Sequence, residues 1–110
     1  MASKFHLKKA SNEQFHFNLH AGNGEIILGS EQYKAKHSAL DGIESVRKNA
    51  QRADAFEIKA AAGGKFHFVL KASNGQVIGT SQLYASEASA KAGTESVRNN
   101  APGAGVQDDA

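Results

Sequence analysis

The residues that could do chemistry in this 110-residue chain are five histidines, a repeated Ser-x-x-Tyr and a scatter of lysines. Three histidines lie close in sequence: His6 in "KFHLKK" (4–9), and His16 and His20 in "QFHFNLHA" (14–21). A metal ion needs three or four ligands converging at about 2.0–2.1 Å. On a strand, residues four apart are separated by roughly 13 Å at about 3.3 Å per residue, so His16 and His20 cannot share an ion. His6 facing His16 or Asn18 across a hairpin would supply at most two ligands. His67 matches His16 in the second half of the chain, but Glu57 and Lys71 stand where His6 and His20 would be. No metal site is expected.

Ser30 and Tyr33 recur as Ser81 and Tyr84. A nucleophilic serine needs a base and an orienting group, and no G-x-S-x-G elbow frames either serine. Asp41 becomes Ala92, Glu31 becomes Gln82 and His37 becomes Ala88, so no acid or base repeats beside them. The serines are expected to bond backbone and the tyrosines to close the edge of a core. "GNG" (22–24) and "SNG" (73–75) lack the lysine and the following helix of a phosphate loop. The chain is not read as an enzyme, and no catalytic residue or cofactor is assigned.

Composition narrows the class further. With 40% hydrophobic and 22% charged residues the chain has the balance of a globular domain. The absence of cysteine excludes disulfides, thiolate nucleophiles and Cys-ligated zinc. The opening "MASKFHLKKA" carries no apolar signal segment, and no apolar run approaches the roughly 20 residues of a membrane helix, so a cytoplasmic protein without a membrane partner is expected. A net charge of +2 falls short of a dedicated DNA binder.

The elements that position these residues are written twice. Shifting the chain by 51 positions places Phe5 on Phe56, Phe15 on Phe66, Tyr33 on Tyr84 and "ESVRKNA" (44–50) on "ESVRNNA" (95–101). Residues 4–50 and 55–101 align without a gap, and 102–110 form a tail with a short strand centred on Val106. A unit of about 50 residues buries too little surface to be safely stable alone, so the two share one core. In each unit Phe, Leu and Ala alternate with His, Asn and Lys, the period of a half-buried strand. Asn23-Gly24 and Asn74-Gly75 read as two-residue type I′ hairpins. That register pairs Ala21 with Ile26, His20 with Ile27 and Leu19 with Leu28. Segments 36–49 and 87–100 have helical spacing. Their Gly42 and Gly93 cost about 1 kcal/mol each against alanine, a loss offset by close approach to the phenylalanine face of the sheet. The order is β-β-β-α-β-β-β-α with a final short strand: an α+β domain with one antiparallel-rich sheet and two helices on one face.

The phrase "FHFNLHAGNGEIILGSEQY" with "SALDGIESVRKNA", written twice, closely resembles the YegP-like proteins over nearly the whole chain. The resemblance implies a β3-α-β motif, found as two subunits or as tandem repeats, with a shared sheet, a pseudo-twofold and C-terminal strands swapped between units. It assigns 56–59 to the end of the first unit and the Val106 segment to the end of the second. It brings no established activity and no site residues.

One surface is singled out. The face away from the helices is expected to carry His16, Asn18, His20, Lys59, His67 and Lys71, with Ile27, Val69 and Ile78 as apolar members. A joined apolar and basic patch marks a docking surface for a protein or peptide. Weak, salt-sensitive nucleic-acid contact is the runner-up, although the phenylalanines alternate to the other face and leave no stacking platform. Because the second copy supplies what a second subunit would, a monomer is expected.

Overall fold

The computed structural model describes residues 3–110. Three strands, β1 (Lys4–Lys9), β2 (Phe15–His20) and β3 (Ile26–Gly29), lead into helix α1 (Lys36–Asn49). The pattern repeats as β4 (Phe56–Ala60), β5 (Phe66–Lys71), β6 (Val77–Thr80) and α2 (Glu87–Asn100), and β7 (Gly105–Asp109) closes the chain. All seven strands form one sheet in the order β4-β5-β6-β3-β2-β1-β7. Every neighbouring pair is antiparallel except β1 and β7, which run parallel. The expected α+β architecture, tandem repeats and final strand are all present, and the last strand of the second repeat pairs with the first strand of the first.

The helices cover one face. Phe5, Leu7, Phe17 and Leu19 of the first unit and Phe68 and Leu70 of the second are buried against them, with Ala39, Ile43, Val46, Ala90 and Val97 on the helix side. The two helical glycines make the contact possible. A Cβ on Gly42 would lie 2.8 Å from Tyr33 Cζ, and one on Gly93 would lie 2.7 Å from Tyr84 Cζ. Each tyrosine stacks on the phenylalanine beneath it, Tyr33 on Phe17 at 6.2 Å and Tyr84 on Phe68 at 6.0 Å between centroids. Real side chains do not approach to such distances, so glycine is the residue that lets helix, tyrosine and sheet form one layer.

The hairpins differ from the expected type I′ turns. Gly24 has φ +87°, but Asn23 is not in the positive-φ region. Gly24 N–H donates to Ala21 O at 2.9 Å, Ala21 N–H donates to Glu25 O at 2.8 Å, and Asn23 Oδ1 accepts from Glu25 N–H at 3.0 Å. This is a three-residue loop, a type I turn closed by a left-handed glycine. The second copy reproduces it over Ala72–Gln76. One extra loop residue slides the return strand, so His20 pairs with Ile26 rather than with Ile27. A bulge between Leu19 and His20 then restores the expected Leu19–Leu28 pair, and Ile27 is the residue it absorbs.

The units join where β3 meets β6. There Gly29 pairs with Thr80, two residues that occupy the same place in their repeats, so the pseudo-twofold axis passes through this pair. On the helix side of the join the repeats diverge. Leu28 fills the space that the equivalent residue, Gly79, leaves open: a Cβ on Gly79 would lie 2.7 Å from Leu28 Cδ2. Two leucines cannot occupy one point on an axis. Gly79→Leu alone is expected to cost about 1–3 kcal/mol by overpacking, and Leu28→Gly alone about 3–5 kcal/mol through an unfilled space. The double variant should be more stable than the sum of the two losses implies, by at least about 1 kcal/mol in a urea-denaturation double-mutant cycle.

Candidate binding surfaces

Strand alternation places Lys4, His6 and Lys8 of β1, His16, Asn18 and His20 of β2, His67, Val69 and Lys71 of β5, and Glu57 and Lys59 of β4 on the sheet face away from the helices. His6 pairs across the hairpin with Asn18, and its ring lies 5.8 Å from that of His20. The His20 ring bonds Gly24 O at 3.1 Å and thereby ties the strand to its own turn. Lys71 pairs with Glu57 at 2.5 Å, and the pairing holds the Glu57 carboxyl below the usual range. The structure thus brings His16, Asn18, His20, Lys59, His67 and Lys71 to one face as expected. Among the described residues no group of three metal-ligating side chains converges.

The apolar members do not join them. Ile27 and Ile78 are 4% and 8% exposed, and both belong to the main core. The bulge that absorbs Ile27 turns it to the helix side, where it lines a cleft with Tyr84, Ser89, Gly93 and Ser96 of the second unit. Ile78 reciprocally lines a cleft with Tyr33, Ser38, Gly42 and Ser45 of the first. Val69 keeps its outward alternation but is only 5% exposed, flanked by Glu57 and Thr80 on the neighbouring strands. The open face is therefore mainly polar where a joined apolar patch was expected, apart from Ile26, which is 43% exposed, and its half-buried equivalent Val77.

The Ser-x-x-Tyr segments are structural in detail. Ser30 Oγ accepts from Phe17 N–H at 2.9 Å and donates to Glu31 O at 2.7 Å. Ser81 makes the same two bonds with Phe68 and Gln82. Tyr33 and Tyr84 exchange backbone bonds with Phe15 and Phe66, extending the sheet by one bridge in each repeat. Burial pushes both tyrosine hydroxyls above their usual range.

The two ends of the sheet are where the repeats behave differently. At one end β7 lies along β1, and Phe5 and Leu7 are fully buried. Arg47 donates to Ala104 O at 2.6 Å and stands over the Phe5 ring at 5.3 Å. Three side-chain contacts hold β7: Lys36–Asp108, His6–Asp109 and Lys4–Gln107, each at 2.6 Å. At the other end β4 has no outer neighbour among the described residues. Phe56 and Ile58, the counterparts of Phe5 and Leu7, are only half-buried. They line a groove of about 490 Å³ with Lys91, Thr94, Glu95 and Arg98 of α2. Sequence reasoning missed this groove, because nothing in "KFHLKK" and "FEIKA" distinguishes an internal strand from an edge.

A family model described as a domain of unknown function, DUF1508, matches the chain twice, over residues 10–57 and 61–108. The chain belongs to this family. The YegP-like resemblance read from the motifs is thereby borne out. A UPF0339 protein of Pseudomonas aeruginosa is 71% identical over 109 residues, covering 99% of both chains. The UPF0339 protein YegP of Escherichia coli is 50% identical over 108 residues, covering 98% of both. The solution NMR structure of the Escherichia coli protein, described as being of unknown function, covers 99% of this chain and 94% of its own with a TM-score of 0.92. That of a UPF0339 protein from Shewanella oneidensis is 44% identical and covers 98% and 92% with a TM-score of 0.91. Each DUF1508 match ends in a strand, β4 or β7, so the family unit treats those two strands as equivalent. Among the described residues no helix is long and apolar enough to cross a membrane.

Two outcomes follow from this placement. Ile27→Ser should destabilise the fold by about 2–4 kcal/mol in urea denaturation, as expected for a hydroxyl placed in a core. The second outcome concerns acid. Lys36 and the Ala110 amide hold Asp108, and His6 and Gln107 hold Asp109, below the usual aspartate range. Carboxylates with lowered values support the folded arrangement above the ordinary value and lose that effect as pH falls through the lowered one. The NOE between Phe5 and Val106 should therefore weaken below about pH 4, and replacing both aspartates by asparagine should remove that pH step.

Proposed function

We propose that the protein is a cytoplasmic, monomeric, non-catalytic binding module that takes an extended peptide strand on the open edge of β4. The observation that carries this reading is the contrast between equivalent residues. Phe5 and Leu7 are fully buried on a strand flanked by β7, whereas Phe56 and Ile58 are half-buried on β4, whose outer edge has no neighbour among the described residues. An edge strand presents a row of free N–H and C=O groups, and strand addition is a recurring way of recognising peptides. The groove beside it supplies the pocket for alternate side chains, lined by Phe56 and Ile58 below and α2 alongside. β7 on β1 is an internal example of such an addition.

The polar open face has a supporting part in this reading. Lys59 and Glu57 stand on β4 itself and His67 and Lys71 on the next strand, so side chains of an added strand that point away from the helices would meet them. Both helix–hairpin clefts are smaller, about 220 and 280 Å³. Their lining is identical in type at most positions, as expected of residues the repeat needs in order to fold.

The test uses a displayed library of linear heptapeptides, selected on the protein and on an Ile58→Lys variant. Selected peptides should shift the amide resonances of residues 56–60 and 91–98 and should lose at least about tenfold in affinity on the variant. Peptides that instead shift His16, His20 and Lys71, with unchanged affinity for the variant, would place binding on the open face and sink the edge reading.

A further inference from the structure

We infer that the strand accepted by β4 is a basic extended segment of another protein, lying parallel to β4, and that the edge rejects the chain's own acidic tail. The inference rests on the reading of β4 as a docking edge and adds the chemistry of the occupant. The molecule carries its own template. Each residue of the first unit that holds β7 on β1 has an equivalent position 51 residues on, at the β4 end.

The backbone anchor is retained. Arg47, which donates to Ala104 O, corresponds to Arg98. Arg98 lies in the β4 groove with Glu95 as a distant partner at 4.0 Å, and among the described residues its guanidinium donates no hydrogen bond. A carbonyl just ahead of an added strand would meet it as Ala104 meets Arg47. The apolar anchor is retained too, since Phe56 offers the seat that Phe5 offers opposite Val106.

The side-chain anchors change from donors to carboxylates. Lys36, the partner of Asp108, corresponds to Glu87, and His6, the partner of Asp109, corresponds to Glu57. The partner of Gln107, Lys4, corresponds to Ala55, which offers no side-chain donor. A tail ending Val-Gln-Asp-Asp would therefore place its two carboxylates against two carboxylates. Lysine or arginine at those positions would find opposite charges. Discrimination of this kind works as much by repulsion of the wrong strand as by attraction of the right one. Besides Arg98, which matches Arg47 of the other end, two cations face the same edge. Lys59 corresponds to Lys8, which stands opposite Asp109 without pairing with it, so that position does not decide the preference. Lys91 replaces Leu40 and lies one helical turn beyond Glu87, outside the two reversed contacts. Glu57 already shares Lys71, but its side chain is 48% exposed and accessible from the edge.

The reversal also gives the arrangement a use. With like charges at the β4 end, the tail of a second copy is turned away, and the sheet does not extend from molecule to molecule by tail exchange. The exposed edge is then kept for a different protein.

The test compares two labelled hexapeptides by fluorescence anisotropy at low salt: residues 104–109 themselves (AGVQDD) and the same peptide with both aspartates replaced by lysine (AGVQKK). The lysine peptide should bind roughly fivefold more tightly or better and shift the amides of residues 56–60. The double variant Glu57→His with Glu87→Lys, both positions being at the surface, should reverse the preference. Equal binding of both peptides at β4, or tighter binding of the acidic one, overturns the charge inference and leaves strand addition standing. If neither peptide shifts residues 56–60 on either protein, strand addition at β4 fails and the inference falls with it.

Discussion

Everything in this fold depends on the join between β3 and β6. Seven strands make one sheet only because these two meet, and they meet at a single residue pair, Gly29 with Thr80. So short a ladder cannot hold two units of about 50 residues together by hydrogen bonds alone, since each bond is worth only about 1 kcal/mol net. The helices supply the rest by crossing the join. α1 packs over β6 as well as over its own β2, and α2 packs over β3 as well as over its own β5. Ile27 sits against α2 and Ile78 against α1, so each unit closes the core of the other.

That reciprocity explains why the bulge is kept in both copies. A regular hairpin would place Ile27 opposite His20 on the polar face and leave the neighbouring helix with nothing beneath it. The bulge spends one residue to turn an isoleucine through the sheet. It also accounts for a sequence pattern that looks like an error of alternation: two consecutive buried residues, Ile27 and Leu28, in the middle of a four-residue strand. Symmetry then fails at the one point where it must. Leu28 reaches the axis, and its equivalent is glycine because a second leucine would occupy the same space.

The architecture was legible in the sequence because it rests on periodicity. Strand alternation, helical spacing, paired glycines and the 51-residue shift each survive changes in individual side chains. The register beyond Leu19 was not legible, because "GNG" and "SNG" encode a three-residue loop as well as a two-residue turn, and the choice depends on how the bulge is packed. The exposure of Ile27 and Ile78 failed with it, because a one-residue slip sends a side chain to the other face, whereas Val69 keeps its face and is covered there between Glu57 and Thr80. The polar members of the proposed surface came together because they lie on strands whose alternation is uninterrupted. The groove at β4 left no sequence signal of its own, since it arises from what lies beside the strand rather than from what the strand contains.

The remaining asymmetry is topological. The strand after each helix crosses to the other unit and lies at the outer end of the sheet. β4 takes that place beside β5. The equivalent place beside β2 is already held by β1, which is six residues long and antiparallel. β7 therefore falls one position further out and can run only parallel to β1. Seven strands are one more than a twofold arrangement of six. The seventh covers one edge, and the other has no outer neighbour among the described residues. The open groove at β4 is thus the counterpart of the covered edge at β1, with Glu57 and Glu87 standing where the covered end has His6 and Lys36.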